Sequence, residues 1–185
     1  FYTNKSEDKQ KTLDDYVANM KEGQPGIYYI TGENKTIVSN SPFVEKINKK
    51  GYEVLYFIDA LDEYITQHIT TYNDKKLMCI TKSDLDLGDT EDEKENLKKL
   101  SEEYNDLCSK MKEVLKDKVE NVIVSNRVTN SACCLVSSQF GYTANMERIL
   151  KAQALHNSIQ EQQFMSKKIM EINPEHALIK GLFQR

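Results

Sequence analysis

No run of apolar residues in this 185-residue chain approaches the ~20 needed to cross a bilayer. Membrane-spanning function is excluded on that ground, and 39% hydrophobic with 29% charged residues is the composition of an ordinary globular protein. Positive charge is not in excess either. The 25 Lys and Arg against 29 Asp and Glu leave a net charge of -4, whereas phosphate binding calls for a concentrated basic footprint, so nucleic acid is not an expected partner. The four cysteines form no CxxC pair, which removes the zinc-site and disulfide-framework readings and leaves reduced thiols in a cytosolic compartment. Also absent are GxxxxGK(S/T), a GxGxxG after a strand, HExxH and GxSxG, and three histidines offer little from which to assemble a catalytic centre. Neither an initiator Met nor a charged-then-apolar leader opens the sequence, so it is expected to start inside a longer chain.

What is present reads as two successive units, each large enough for a core of its own; a globule of this mass buries roughly 70% of its extended surface. Leu13, Tyr16, Val17 and Met20 fall at i, i+3, i+4 and i+7, predicting a short helix that Gly23, Pro25 and Gly26 end. Ile27–Thr31 reads as a strand. Residues 36–50 read as a helix carrying Ile37, Phe43, Val44 and Ile47, with Pro42 pointing to a late start and Gly51 to the stop. Residues 53–58 read as a second strand. Asp59 then caps a helix with Leu61, Tyr64, Ile65, Ile69 and Tyr72 on its apolar face, and 77–81 is a third strand. Strands separated by helix-length crossovers imply parallel pairing with right-handed connections. The expected fold class is α/β, a small three-layer α/β/α parallel-sheet unit over residues 1–84.

Between Asp84 and Glu95 seven acids accompany one base, predicting a solvated acidic connector over 85–95. Leu97, Leu100, Tyr104, Leu107, Met111 and Val114 are spaced 3, 4, 3, 4, 3, one long helix whose seam is too short for a committed coiled coil and is expected to face a core. Residues 122–125 and 133–137 are strand-like, and helical pattern returns over 145–155 and 160–171. Asn173 reads as an N-cap and Pro174 as the first position of a last helix. Ala177, Leu178, Leu182 and Phe183 still mark its apolar face at Arg185, as though the sequence continued. Residues 96–185 are thus expected to form an α+β unit with a long helix and a small sheet.

Chemistry-bearing residues are sparse. His68 sits between Ile65 and Ile69, where a packed imidazole is the simpler reading; His156 and His176 fall near helix boundaries and suit surface or capping roles. Asp59 follows a strand, where an α/β sheet presents functional groups, but capping explains it equally well. Cys133 and Cys134 point to opposite faces of a strand, one buried and inert, the other open to modification. The most distinctive stretch is 137–155. Phe140 and Tyr142 flank Gly141, and Met146, Ile149 and Leu150 form an apolar edge beside Arg148 and Lys151. An amphipathic stripe usually packs inward, yet aromatic and methionine side chains also suit adaptable peptide contact.

The segments IYYITGE (27–33), SPFVE (41–45), GYEV (51–54), DEY (62–64), VSNR (124–127), NMER (145–148), KAQAL (151–155) and EINP (171–174) resemble, in the same order, segments of the heat shock protein 90 family of dimeric ATP-dependent chaperones. The resemblance spans the end of the middle domain and the first part of the C-terminal domain, closest to cytosolic members. Tyr142 stands where the family often has Trp, and His156-Asn157 replaces a commoner Arg-Asp pair. The resemblance implies that ATP and Mg serve the full-length parent through a domain upstream of Phe1, with a catalytic Arg also upstream. It implies no cofactor and no ATP hydrolysis in this chain, and strong dimerisation through helices beyond Arg185. Expected partners are client polypeptides and co-chaperones, and the client-facing residues it implies are Phe140, Tyr142, Met146, Ile149 and Leu150.

Two other readings stay open. One is an α/β enzyme or nucleotide-binding module with its ligand near Gly32, Asp59 and Thr81, at the carboxyl ends of the strands. The other is a structural oligomerisation module using the heptad helix.

Overall fold

Residues Ile27 to Thr31 are all buried, the mark of a strand covered on both faces and therefore internal to an α/β sheet. In the computed structural model, which describes residues 1–7, 9–153 and 166–184, this strand is β2. It follows β1 (Tyr2–Thr3) and α1 (Leu13–Ala18), and precedes α2 (Lys35–Ser39), α3 (Glu45–Lys50), β3 (Leu55–Phe57), α4 (Ala60–His68), β4 (Thr71–Tyr72) and β5 (Lys75–Cys79). The sheet order is β1-β3-β2-β5-β4. Strands β3, β2 and β5 are parallel, with Tyr29 opposite Leu55 and Cys79. Alternate side chains build two cores. Ile27, Tyr29, Leu55, Phe57 and Cys79 pack with Tyr16 of α1 on one face, and Tyr28, Ile30, Tyr56, Met78 and Ile80 pack with Val38 and Ile47 of α2 and α3 on the other. The mixed α/β class and the three layers follow the sequence expectation.

Tyr16 fixes α1 to this sheet. Its hydroxyl donates to Glu53 O at 2.6 Å and accepts from the Tyr28 amide and Gln24 Nε2, both at 3.0 Å. Burial pushes this hydroxyl well above the usual tyrosine range, although the two N–H donors pull the other way.

Several local expectations are corrected. The sheet is not wholly parallel: β1 and β4 are antiparallel edges. Each is two residues long, too short to show a period, and β4 turns into β5 through Asn73 and Asp74, both at positive φ. The helix expected over 36–50 is broken into α2, a 3-10 turn at Pro42–Val44 and α3, because Ser41 and Pro42 start a new turn; Gly51, at φ 68°, ends α3 as expected. On α4 the apolar residues Leu61 and Ile65 face solvent, as does Ile69 just past its end, while Glu63 is buried. Residues 83–95 are tied down: Leu87 is buried in the core built by Tyr28, Ile30 and Met78, and a Thr90/Glu93 capping box starts a helix at Glu91.

The second half contains α5 (Glu91–Glu103), α6 (Asn105–Leu115), β6 (Val119–Val124), β7 (Cys133–Val136), α7 (Ala144–Gln153), β8 (Lys168–Ile172) and α8 (Ala177–Phe183). Its sheet order is β6-β8-β7, with β8 parallel to β6 and antiparallel to β7. The expected single helix bends at Tyr104, which is buried and stacked on Phe183 at 4.2 Å. Leu97, Leu100, Leu107 and Met111 do pack against the core, but Val114 is 79% exposed. The helix expected over 160–171 is corrected within the described part, since 168–172 is the central strand, its β-branched Ile169 and Ile172 paired on both sides. Asn173 caps a turn, its side chain accepting from the Glu175 amide; the last helix starts later, with His176 Nδ1 accepting from the Leu178 amide.

Candidate functional site

The segment from Ser137 to Ile149 runs from the end of β7, past the residues that follow the carboxyl end of β5, into α7. Phe140 is 92% exposed at its apex, and Tyr142 is 38% exposed. Leu150 is half-buried. Met146 and Ile149 are only 4% and 8% exposed, so two of the five expected contact residues belong to the interior. The reason is the seating of α7 on α4. Thr143 Oγ1 accepts from the Met146 amide at 3.0 Å and donates to Glu63 Oε1 at 2.7 Å, and Asn145 Nδ2 donates to the same oxygen at 3.0 Å. That capping cluster turns the Met146 side inward and leaves Phe140 and Tyr142 as the aromatic exterior.

The loop is held rather than hung. Ser137 N donates to Thr81 O at 3.0 Å and Ser83 N donates to Ser137 O at 2.9 Å, bracketing Ser137 between residues that follow β5. Lys82, between them, donates Nζ to Gln139 O at 2.9 Å and to Gly141 O at 2.6 Å. A Cβ at Gly141 would lie 2.7 Å from Ser138 Oγ and 2.8 Å from Ser166 Oγ, so both hydroxyls would have to turn aside for it. On the far side Lys168 pairs with Glu147 and reaches Tyr142 O at 3.4 Å. A cleft of about 250 Å³ lies beneath Phe140, bounded by Tyr29, Thr66, Thr70, Leu77 and Lys82.

Behind this surface the two sheets are joined by three charged contacts. Arg127 donates Nε and Nη2 to Glu171 at 2.8 and 3.1 Å, and Nη1 to Ile80 O at 2.7 Å. Glu45 of α3 accepts the amides of Thr129, Asn130 and Ser131 at 2.6, 2.7 and 3.4 Å, and the Ser131 hydroxyl at 2.6 Å. Burial opposes ionisation of Glu45, but these donors outweigh it and hold the carboxyl below its usual value. Asp89 accepts from Lys46 at 2.7 Å and Asn126 at 2.8 Å, and pairs with Lys50 at 2.8 Å. Burial draws Lys46 down, whereas in Lys50 the carboxylates of Asp89 and Glu93 outweigh burial and raise it. Beside this cluster opens a cleft of about 460 Å³ between α3 and α5, walled by Lys46, Lys50, Leu97, Leu100 and Asn126.

The remaining candidates are accounted for locally. Asp59 accepts from the Leu61 amide at 2.9 Å within a capping box completed by Asp62. Thr81 O is engaged by Ser137, so the carboxyl end of the sheet is overlaid by the second half of the chain. His68 is exposed, His176 is an N-cap, and His156 lies outside the described residues. Cys134 is buried, its thiol pushed up to about 12 by burial and then by Glu171, while Cys133 is half-buried. Among the described residues no group of His, Cys, Asp or Glu has metal-site geometry, and no helix is long and apolar enough to cross a membrane. Lys82, Glu63 and the Arg127–Glu171 pair were not singled out by sequence reasoning. Arg127 and Glu171 stand in two of the resembling segments, but nothing in either segment indicates that they meet.

Comparison with known proteins bears on the whole chain. A family model described as Hsp90 protein matches residues 1–185. The chain is 45% identical to the putative heat shock protein HSP 90-beta-3 of Homo sapiens, over 96% of this chain and 30% of that protein. It is 44% identical to heat shock protein 83 of Leishmania donovani, over 100% of this chain and 41% of that protein. It is 43% identical to the chloroplastic heat shock protein 90-5 of Arabidopsis thaliana, over 98% of this chain and 23% of that protein. The chain therefore spans well under half the length of these relatives, and over that span it belongs to the Hsp90 protein family.

Proposed function

We propose that this chain is the client-facing and coupling part of an ATP-dependent molecular chaperone, presenting Phe140 and Tyr142 to unfolded polypeptide. The observation that carries the reading is Phe140, 92% exposed on a loop whose flanking carbonyls are both held. An aromatic ring kept in water by its own backbone supports adaptable contact with apolar segments, and low specificity follows from many modest interactions rather than one deep pocket. The charged contacts at Arg127, Glu45 and Asp89, two of them ion pairs and one a carboxylate on backbone amides, support a second role, carrying motion from the first sheet to the second. On this reading ATP and Mg act in the full-length parent outside this chain, the chain turns over no nucleotide, and its partners are clients, co-chaperones and, in the parent, a second copy. The division into 1–84, 85–95 and 96–185 belongs to the same proposal, as does a cytoplasmic setting, supported by cysteines without disulfide spacing. One relative is named chloroplastic, so family membership alone does not fix the compartment.

The test places a photo-crosslinking residue at Phe140, at Tyr142 and, as control, at the exposed Lys94, and offers the protein an unfolded polypeptide. Labelling from positions 140 and 142 several-fold above position 94 is the expected result. Equal labelling at all three contradicts the client-facing role, and ATP turnover by this chain alone contradicts the non-enzymatic one.

A further inference from the structure

Lys82 makes an unusual set of contacts. Its ammonium is absent from the ion pairs found among the described residues, and instead donates to two main-chain carbonyls, Gln139 O at 2.9 Å and Gly141 O at 2.6 Å. These carbonyls belong to the residues on either side of Phe140. When both converge on one donor, the side chain between them is left pointing away, and Phe140 is 92% exposed. The neighbours of Lys82 complete the arrangement: Thr81 O and Ser83 N engage Ser137 N and O at 3.0 and 2.9 Å. Three consecutive residues at the trailing end of the first sheet therefore hold four backbone groups of the loop.

Resting on the client-facing reading above, we infer that Lys82 is the positioning residue of the Phe140 loop, aiming the ring outward and making its direction follow the end of β5. Hydrogen bonds from a charged donor are stronger than neutral ones and drop sharply with misalignment. A displacement of the first sheet relative to the second thus moves the aromatic apex with it. Residues 81–83 act as the lever, and the loop needs no contact with any nucleotide-binding element.

The test compares the intact protein with Lys82→Met, which keeps the stem and removes the donors, and Lys82→Arg, which restores donors. Amide exchange is read at Gly141, whose N–H donates to Ser138 O at 3.1 Å, and at Ile80, whose N–H donates to Tyr29 O at 2.9 Å in the sheet interior. Lys82→Met is expected to speed Gly141 exchange about tenfold with Ile80 unchanged, because only the local opening becomes easier. It is also expected to lower crosslinking from position 140 to unfolded polypeptide several-fold, and Lys82→Arg recovers part of both. Unchanged Gly141 exchange overturns the inference, and so does faster Gly141 exchange with undiminished crosslinking. Acceleration at Ile80 as large as at Gly141 assigns Lys82 to general stability and overturns it too. If the unsubstituted protein crosslinks from position 140 no better than from Lys94, the client-facing reading fails, while the exchange measurement still judges the clamp by itself.

Discussion

Arg127 and Glu171 face each other through two contacts, 2.8 Å from Nε and 3.1 Å from Nη2, at a point where both side chains are buried and the remaining guanidinium nitrogen reaches Ile80 O of the first sheet. One residue follows β6 and the other lies on β8, so the pair clamps the second sheet while its third contact holds the first. The fork geometry matters: a lysine at 127 offers neither the paired contact nor the reach to Ile80.

Removing one member of this pair strands a buried charge. Arg127→Met or Glu171→Gln is expected to destabilise the protein by about 3–5 kcal/mol, and the double substitution by less than the sum of the two, because the penalty is mostly that of the orphaned partner. Urea unfolding of the two single variants and the double variant gives the coupling. Additive losses mean that the pair is not energetically linked.

Asp89 makes stability depend on acid. Burial by itself raises its carboxyl, but hydrogen bonds from Lys46, Lys50 and Asn126 outweigh that and hold it at about 2, below its ordinary 3.8. A carboxyl depressed in the folded state contributes stability that is complete above the unfolded value and lost as pH falls through the folded one. The window is therefore from about 4 down to about 2. The advantage of the unsubstituted protein over Asp89→Asn is expected to be on the order of 2 kcal/mol near neutrality and to shrink across that window. Denaturation at a series of pH values measures it, and a gap that persists at the acid end removes Asp89 as the source.

The thiols differ by burial. Burial pushes the Cys134 thiol up to about 12, and the buried Cys79 is also raised by burial, so neither offers thiolate near neutral pH. A thiol-specific chromogenic reagent is expected to modify Cys133 first, with Cys134 and Cys79 reacting at the rate of unfolding. Cys133→Ser should delete the fast phase. Retention of that phase assigns it to another cysteine.

The parts of this molecule legible beforehand are those whose cause is local. Ile27 to Thr31 announce a strand, Asp59 and Gly51 announce a cap and a stop, and strand alternation puts Cys134 inside, although Cys133 is half-buried rather than exposed. The parts misread are those where distant contacts override the local pattern. Leu61, Ile65 and Ile69 keep helical spacing yet face solvent, because Glu63 on the other side is claimed by Thr143 and Asn145, some 80 positions along. Residues 168–172 have a helical composition but lie between two strands, with Ile169 to Ile172 paired on both sides.

Of the candidate surface, the identity of its aromatic residues was readable and its orientation was not. In the sequence Phe140 and Tyr142 lead into an apolar edge of Met146, Ile149 and Leu150, and the tertiary structure divides the five, sending Met146 and Ile149 inward and Phe140 out. The sequence by itself determined the α/β class, the order of most elements and, through its ordered segments, the family. Only the tertiary structure decided which sides of α4 and α7 are buried and that Lys82 meets Gln139 and Gly141. Periodicity and capping act within one or two turns, whereas a hydrogen bond across 57 positions has no period to betray it and exists only once both sheets are in place.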